Sequence, residues 1–261
     1  EEIPVSLSAL YSKLDGAEVV TSEALVAYST AQLRPVINEL GVSEAWLPGY
    51  RIKVLDGKHI AATERRLSVL RDCAAGPLPG LALVVMEPET GLVTQMVGCE
   101  DGHAQERSLV VPVIDEVQPK DVVIADRNFC TARVLNGVAD RGGFFVIREH
   151  AQVPVLSEGT LHERGRTDSG TVFEQRVTLR LDDREAQARR VVLRLDTPTR
   201  DGDTEMAILT NLPASVKAVA VAGLYRRRWT IESLFGIRCL RGRMANSVRA
   251  IQTVPRGGEV S

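Results

Sequence analysis

The fold of this chain is decided by the stretch VVIADRNFC, residues 122–130, in which an apolar run ends at Asp126. Such a run predicts a buried strand, and helical spacing begins directly after it in TARVLNGVADRGG. An acid that closes a strand in an open α/β sheet lies at the crevice where such sheets bind ligands. A turn residue or a helix cap would give the same pattern. Asp126 by itself therefore leaves both interpretations open.

The segments around this strand predict an α/β protein with a mixed sheet flanked by helices. Three strands precede it, RIKVLDG, LALVVMEP and LVTQMVGC, and Thr90-Gly91 is typical of a turn between the last two. Apolar residues at helical spacing predict a helix in RSLVVPVIDEV, and FFVIRE predicts a further strand. The order strand, strand, strand, helix, strand, helix, strand is that of the ribonuclease H fold.

Two further regions lie outside this alternation. The N-terminal residues are predicted to be helical, with Ser22 as a cap, a break at Pro35 and an end at Gly41. Between 150 and 212, apolar and polar residues alternate, which predicts a separate antiparallel β insertion with one solvent-exposed face. The predicted division is a helical segment (1–48), a first core part (49–149), the β insertion (150–212), a helix that completes the core (213–240) and an irregular tail (241–261).

Composition narrows the class of protein. The chain has 261 residues, is 44% hydrophobic and 25% charged, and carries a formal net charge of −2, which is ordinary for a globular protein. Its four cysteines form no C-x-x-C pair, so neither a zinc site nor a disulfide framework is expected, and a reducing cytoplasm is the expected location. No apolar run is long enough to span a membrane. The chain begins without Met, and we expect the true N-terminus to be missing.

The segment YRRRWTIESLF, residues 225–235, carries the second candidate for function. At 100° per residue, Tyr225, Arg228 and Glu232 lie within an arc of about 60° of one helix. A simple i,i+4 pair between Arg228 and Glu232 on a solvated face would explain the same pattern. A third acid, Asp56 in KVLDG, follows another apolar run, where Asp-Gly is also a common turn pair.

Taken together, Asp56, Asp126 and Glu232 occupy the first strand, the fourth strand and the last helix. These are positions that converge in a ribonuclease H-like sheet. Three carboxylates can hold two Mg²⁺ ions about 4 Å apart, since Mg²⁺ prefers oxygen ligands. The set therefore predicts metal-dependent chemistry on a phosphodiester.

The chain resembles the DDE transposases of bacterial insertion sequences, in the group typified by insertion sequence four. The resemblance lies in VLDGKHIAATERRL, VVIADRNFCTARVL, and LTNLP followed by LYRRRWTIESLF. Tyr225, Arg228 and Glu232 match the family's signature on its last helix, whereas Cys239 stands where the family has lysine. Relatives usually continue for several helices after this one, so a C-terminal truncation is expected.

The resemblance implies a catalytic, metal-binding triad of Asp56, Asp126 and Glu232 with two Mg²⁺ ions, for which Mn²⁺ can substitute. It implies cleavage at insertion-sequence ends and strand transfer into target DNA, by a homodimer on double-stranded DNA. Tyr225 and Arg228 would contact the phosphate near the cleaved end. Arg226 and Arg227 would point elsewhere and at most follow the DNA backbone. Trp229 would stack on a base or belong to the core.

Two alternative functions remain open: a truncated, catalytically dead remnant that only binds DNA, and a ribonuclease H-like nuclease without strand transfer. The other polar candidates have simpler explanations. His59 is expected in a loop, because Mg²⁺ sites rarely use histidine. The acids near Glu106 complement a helix dipole. Cys130 has no neighbour in sequence that would activate it as a nucleophile.

Overall fold

The protein is an α/β structure built on one large mixed sheet. A computed structural model describes residues 19–60, 80–99, 104–199 and 202–238 and the isolated residues 6 and 9, without the side chains of 58–60 and 229–238. The helices in these ranges are α1 (Val19–Leu40), α2 (Val111–Asp115), α3 (Ala132–Asp140) and α4 (Ala218–Arg238). The strands are β1 (Arg51–Ile60), β2 (Gly80–Glu87), β3 (Leu92–Cys99), β4 (Asp121–Ala125), β5 (Phe144–Arg148), β6 (Val155–Thr167), β7 (Gly170–Leu181), β8 (Arg184–Leu195) and β9 (Glu205–Thr210).

The described strands form a single sheet in the order β3-β2-β1-β4-β5-β9-β8-β7-β6. Strands β1, β4 and β5 are parallel, and the other neighbours are antiparallel. The first five strands thus adopt the 3-2-1-4-5 arrangement of a ribonuclease H-like core. The fold class predicted from the sequence is confirmed.

Side-chain alternation in the central strands feeds two apolar cores. Leu55 of β1 and Val123 of β4 belong to the core that also contains residues of α2 and α3. Val54 and Ile124, one residue away on the same strands, belong to the core that contains residues of α4. Because successive side chains point to opposite faces of a sheet, any residue two positions beyond Val54 or Ile124 lies on the α4 side.

The parallel register of β1 and β4 is held by a buried carboxylate at the start of β4. Asp121 is 0% exposed and lies opposite Arg51 in the ladder. Its carboxylate binds Arg51 Nε and Lys53 Nζ, each at 2.8 Å, and accepts a hydrogen bond from the Gln118 N–H at 2.9 Å. A buried acid requires such partners, and both cations come from β1. Asp121 therefore ties the two strands together in one register.

Two helices differ from the sequence-based prediction. Residue Pro35 lies inside α1 and does not split it, and Ser22 lies within its first turn. Contacts with the sheet compensate for the proline: Thr30 donates to the Val93 carbonyl, and Arg34 binds Glu87 at 2.7 Å. The helix ends as predicted at Gly41, where φ is +94°.

The helix predicted over RSLVVPVIDEV is shorter than expected. A 3-10 turn, Glu106–Leu109, comes first, and α2 begins only at Val111. Pro112 explains the boundary, because a proline fits the first turn of a helix, where its missing N–H would have no partner within the helix.

The β insertion is antiparallel, as predicted, but it is not separate. Strand β9 pairs with β5 on one side and β8 on the other, so the insertion continues the core sheet. The expectation of one solvent-exposed face is also wrong. Val177 and Leu179 join the core under α3, and Val191 and Leu193 join the core under α4. Helix α4 contacts β6, β7 and β8 on one face and α3 contacts β7 on the other, which explains why both faces carry apolar residues. The division of the chain into domains stays a prediction.

We predict that Asp121→Asn lowers the free energy of unfolding by about 1.5–3 kcal/mol, because it removes the buried carboxylate that binds Lys53 and Arg51, both of which keep part of their solvation. Urea denaturation of the purified protein measures this loss. The matched control is Asp115→Asn, which breaks an exposed ion pair with Arg141 and should cost less than about 1 kcal/mol. Equal losses in the two variants would contradict the structural role given to Asp121.

Candidate active site at the ends of the parallel strands

Three charged residues form a row across the three parallel strands. The ladder pairs Val54 with Ile124 and Ile124 with Val146. Two residues further along each strand lie Asp56, Asp126 and Arg148. Since Val54, Ile124 and Val146 all belong to the core under α4, the row lies on the α4 side of the sheet. The two carboxylates therefore lie at the carboxyl ends of neighbouring parallel strands, just beyond the last pair of the β1–β4 ladder.

Asp56 lies within a strand and not in a turn. Strand β1 continues to Ile60, with Asp56 opposite Val84 and Gly57 opposite Leu83 of β2. The Asp-Gly turn considered from the sequence is therefore wrong, because pairing with β2 extends β1 past the point where pairing with β4 stops. Gly57 leaves room on the other face for the Glu106 side chain, with which a side chain at position 57 would collide.

Asp126 both ends β4 and caps the 3-10 turn Arg127–Phe129. Its Oδ1 accepts a hydrogen bond from the Asn128 N–H at 2.8 Å. The capping role considered from the sequence is thus present. It also fixes the orientation of the carboxylate at the end of the strand, so the two interpretations of Asp126 are compatible.

Helix α4 places Tyr225 and Arg228 over this row. Arg228 is 5% exposed, and its Nη1 lies 3.7 Å from Asp56 Oδ1. Tyr225 is 1% exposed, and its ring centroid lies 5.5 Å from Arg228 Cζ, a cation–π distance. A buried guanidinium requires a counter-charge, and the described partner is a carboxylate of the row. Arg228 therefore connects α4 to β1 at the site.

Arg226 and Arg227, which lie between Tyr225 and Arg228 on α4, point in different directions. Arg226 lines the same cleft as Asp126 and Arg228, so the expectation that it points elsewhere is wrong. Arg227 does point away, and its Cζ lies 5.3 Å from the ring centroid of Trp46, a cation–π distance. Neighbouring helical positions differ by about 100°, which separates the two side chains.

A third arginine, from the insertion, fixes the chain that leads into α4. Arg189 of β8 donates to the carbonyls of Leu212 (3.1 Å), Pro213 (2.9 Å) and Val216 (2.9 Å). Its Nε donates to Glu174 of β7 at 2.6 Å. The insertion therefore helps to set the position of the helix that carries Tyr225 and Arg228.

An open cleft of about 660 Å³ runs along this site, and we call it the active-site cleft. Tyr225, Arg228 and Asp126 line it on the core side. Arg127, Arg148 and Arg226 also line it, and their guanidinium groups suit phosphate oxygens, although the four aspartates of the described lining balance its four arginines. Arg148 forms a 2.7 Å ion pair with Asp203 of the insertion. The insertion contributes polar turn residues to the rim: Asp168, Ser169, Asp196, Thr197, Thr199 and Asp203.

Sequence reasoning missed Arg148 and these rim residues. Arg148 had a usable signal, because it closes the apolar strand FFVIR as Asp126 closes VVIA. The rim residues had none, because their approach to Asp126 depends on pairing between strands far apart in the sequence.

The remaining site candidates lie partly outside the described residues. Glu232 and Trp229 lie on α4, but their side chains are outside the described part, as are all of Cys239 and residues 241–261. The side chain of His59 is likewise outside it, although its backbone belongs to β1 and not to a loop. Cys130 is buried, and burial raises the pKa of its thiol to about 11. The prediction that Cys130 is not an activated nucleophile agrees with this environment.

A comparison with protein families assigns the chain. A family model described as the transposase DDE domain matches residues 48–250, most of the chain. The chain belongs to this family. A search of curated proteins gave no match. The matched part of this transposase domain includes Asp56, Asp126 and helix α4. None of its four described helices combines the length and the apolar composition that a bilayer span requires.

The described residues of the transposase domain fit a divalent metal ion in part. Asp56 and Asp126 supply carboxylate oxygens, the ligands that Mg²⁺ prefers, on one side of the sheet. Among the described side chains, no third Asp, Glu, His or Cys completes a metal-binding group. Glu232 lies one helical turn after Arg228 on α4, so its backbone is on the helix that covers the two aspartates.

We predict that Tyr225 ionises at a higher pH than an ordinary tyrosine. Burial raises its pKa above 10, although Arg228 and Arg148 oppose this shift. Because the folded-state pKa is higher than the unfolded one, stability is retained below about pH 10 and lost as the pH rises further. Tyrosinate absorbance should show a late-titrating group that is missing from Tyr225→Phe. Identical titrations of the two proteins would contradict the buried position of Tyr225.

Proposed function

We propose that this chain is the catalytic domain of a DNA transposase of the insertion-sequence-four group, which cleaves the ends of its element and joins them to target DNA. The observation that carries the proposal is the row of Asp56, Asp126 and Arg148 beneath Tyr225 and Arg228. It combines carboxylates suited to metal ions with arginines suited to phosphate, inside a domain of the DDE family.

In this proposal Asp56, Asp126 and Glu232 hold two Mg²⁺ ions, or Mn²⁺ in their place. When bound, such ions lower the pKa of a water molecule or 3′-hydroxyl and stabilise the leaving oxygen. The capping bond from Asn128 keeps the Asp126 carboxylate oriented. The ion pair between Arg228 and Asp56 of β1 keeps the Asp56 carboxylate facing α4.

The arginines of the active-site cleft bind the DNA end in this proposal. Arg228 and Tyr225 contact the phosphate next to the cleaved bond, and Arg148 and Arg226 contact neighbouring phosphates in the same cleft. Arg227, which packs on Trp46, adds at most salt-dependent affinity for the backbone. Trp229 is the candidate for stacking on a base.

Two ends have to be held together for such a reaction, so we propose that the active species is a homodimer on double-stranded DNA. A remnant would bind DNA without cutting it. A simple nuclease would cut without a preference for element ends and without joining.

We predict that the protein cleaves a plasmid carrying the DNA that flanks its own coding sequence, and that cleavage requires Mg²⁺ or Mn²⁺. Asp56→Asn and Asp126→Asn should each lower the cleavage rate at least about 100-fold, since even outer-shell partners of metal ligands are worth about 10- to 100-fold. Binding of the same DNA should persist, because the arginines are unchanged. Gel analysis of the products and filter binding measure the two effects.

The matched control is Asp140→Asn, which removes an exposed carboxylate bound to Arg184 and should cleave like the unaltered protein. Retained cleavage in Asp126→Asn would show that the row is not the catalytic site. DNA binding with no cleavage by the unaltered protein would identify a remnant. Cleavage at random positions with no joined product would identify a nuclease.

A further inference from the structure

A second cleft, of about 350 Å³, lies on the other side of the Asp126 turn. We call it the second cleft. Its lining includes Arg107, Arg127, Asn128, His150 and Gln152. These are groups that can donate hydrogen bonds or carry positive charge, and the roles assigned so far to the active site do not use Arg107, His150 or Gln152.

The two clefts lie on opposite sides of the sheet edge and meet at one residue. The active-site cleft lies under α4, on the side of Val54 and Ile124. The second cleft includes Glu106, which packs on Gly57 and therefore lies on the opposite face from Asp56. Arg127, directly after Asp126, lines both clefts. A polymer that leaves one cleft can therefore enter the other by passing over the Asp126–Arg127 segment.

Arg107 is held in place but keeps its full charge. Its Nε donates to the Gln105 side-chain oxygen at 2.6 Å, and its Nη1 donates to Gln152 Oε1 at 2.8 Å. These amide partners orient the guanidinium without neutralising it. Within the described part of the chain, neither Arg107 nor Arg127 forms an ion pair, whereas most arginines of the insertion do.

The acidic residue in this cleft has another role. The Glu106 side chain packs against Gly57, and its Oε2 lies 3.5 Å from Asn128 Nδ2. It thus contacts both aspartate-bearing segments from the far face of the sheet. This placement leaves the guanidinium groups of Arg107 and Arg127 as the charged groups available to a ligand in the second cleft.

The chemistry of strand transfer requires two DNA strands to meet at one phosphorus. The attacking 3′-oxygen and the leaving oxygen of the target phosphodiester lie roughly in line on opposite sides of it. If the element end occupies the active-site cleft, the target strand has to leave the reaction centre on the opposite side. The second cleft lies on the opposite face of the sheet from the active-site cleft and meets it at Arg127, so it is placed to hold a strand that leaves in this way.

We propose that the second cleft binds the target DNA strand, with Arg107 and Arg127 contacting its phosphates on either side of the attacked bond. This inference rests on the proposed function and extends it, since it separates the binding of the target from the binding of the element end. During joining, the end's 3′-hydroxyl loses its proton to solvent as its oxygen bonds to the target phosphorus, and the bond from that phosphorus to the target's own 3′-oxygen breaks. That oxygen leaves with a proton from solvent.

The experiment compares end cleavage with joining. Pre-cleaved duplexes of the element end are given to the protein with a supercoiled plasmid as target, and joined products are quantified. We expect Arg107→Gln to lower joining about tenfold and to reduce the slope of log affinity for the plasmid against log salt by about one. End cleavage and end binding should be unchanged. Arg107→Lys keeps the charge and should restore the salt slope.

The matched control is Arg180→Gln, which removes an exposed arginine on β7 that lines neither cleft, and should behave like the unaltered protein. Unchanged joining in Arg107→Gln, or an equal loss of cleavage and joining, would overturn the proposal. If the unaltered protein neither cleaves nor joins, the proposed function fails. In that case the salt dependence of plasmid binding still tests the second cleft on its own. An unchanged slope of log affinity against log salt in Arg107→Gln overturns the proposal.

Discussion

The structure depends on the register between β1 and β4, and one buried carboxylate holds that register. Asp121 bonds to Arg51, which lies opposite it in the ladder, and to Lys53, two residues further along β1. A slip of one residue would turn every side chain of a strand to the other face. Asp56 and Asp126 would then no longer share the α4 side of the sheet. The position of the candidate active site is therefore decided five residues before Asp126, by an ion pair with no part in the chemistry.

The other half of the site is held by the insertion. The insertion extends the core sheet through β9, and Arg189 binds three carbonyls of the chain that leads into α4. Because α4 carries Tyr225 and Arg228, the pairing of β8 with β9 helps to set where these two side chains lie over Asp56. The insertion also supplies the polar rim of the active-site cleft. The insertion therefore both helps to position α4 and lines the active-site cleft, which a separate accessory unit would not do.

Local sequence patterns predicted the core strands and the candidate acids. Features that depend on pairing between distant segments could not be predicted from these patterns. The apolar runs and helical spacings identified all five core strands and the order of the core. The strand-end position of Asp126 and the shared helix face of Tyr225 and Arg228 were also visible. The extension of β1 past Asp56 was not, because it depends on β2, and neither was the role of Arg189, whose carbonyl partners lie 23 to 27 residues away. Pro35 was misjudged because contacts of α1 with the sheet outweigh a local helix-breaking tendency.

A crystal of the protein soaked in Mn²⁺ would show whether the two aspartates and α4 form one metal site. Anomalous scattering locates Mn²⁺ without any assumption about activity or DNA sequence. We predict peaks bound by Asp56 and Asp126, with Glu232 of α4 as a further ligand. Mn²⁺ bound elsewhere, or no peak beside the two aspartates in well-ordered crystals, would contradict it.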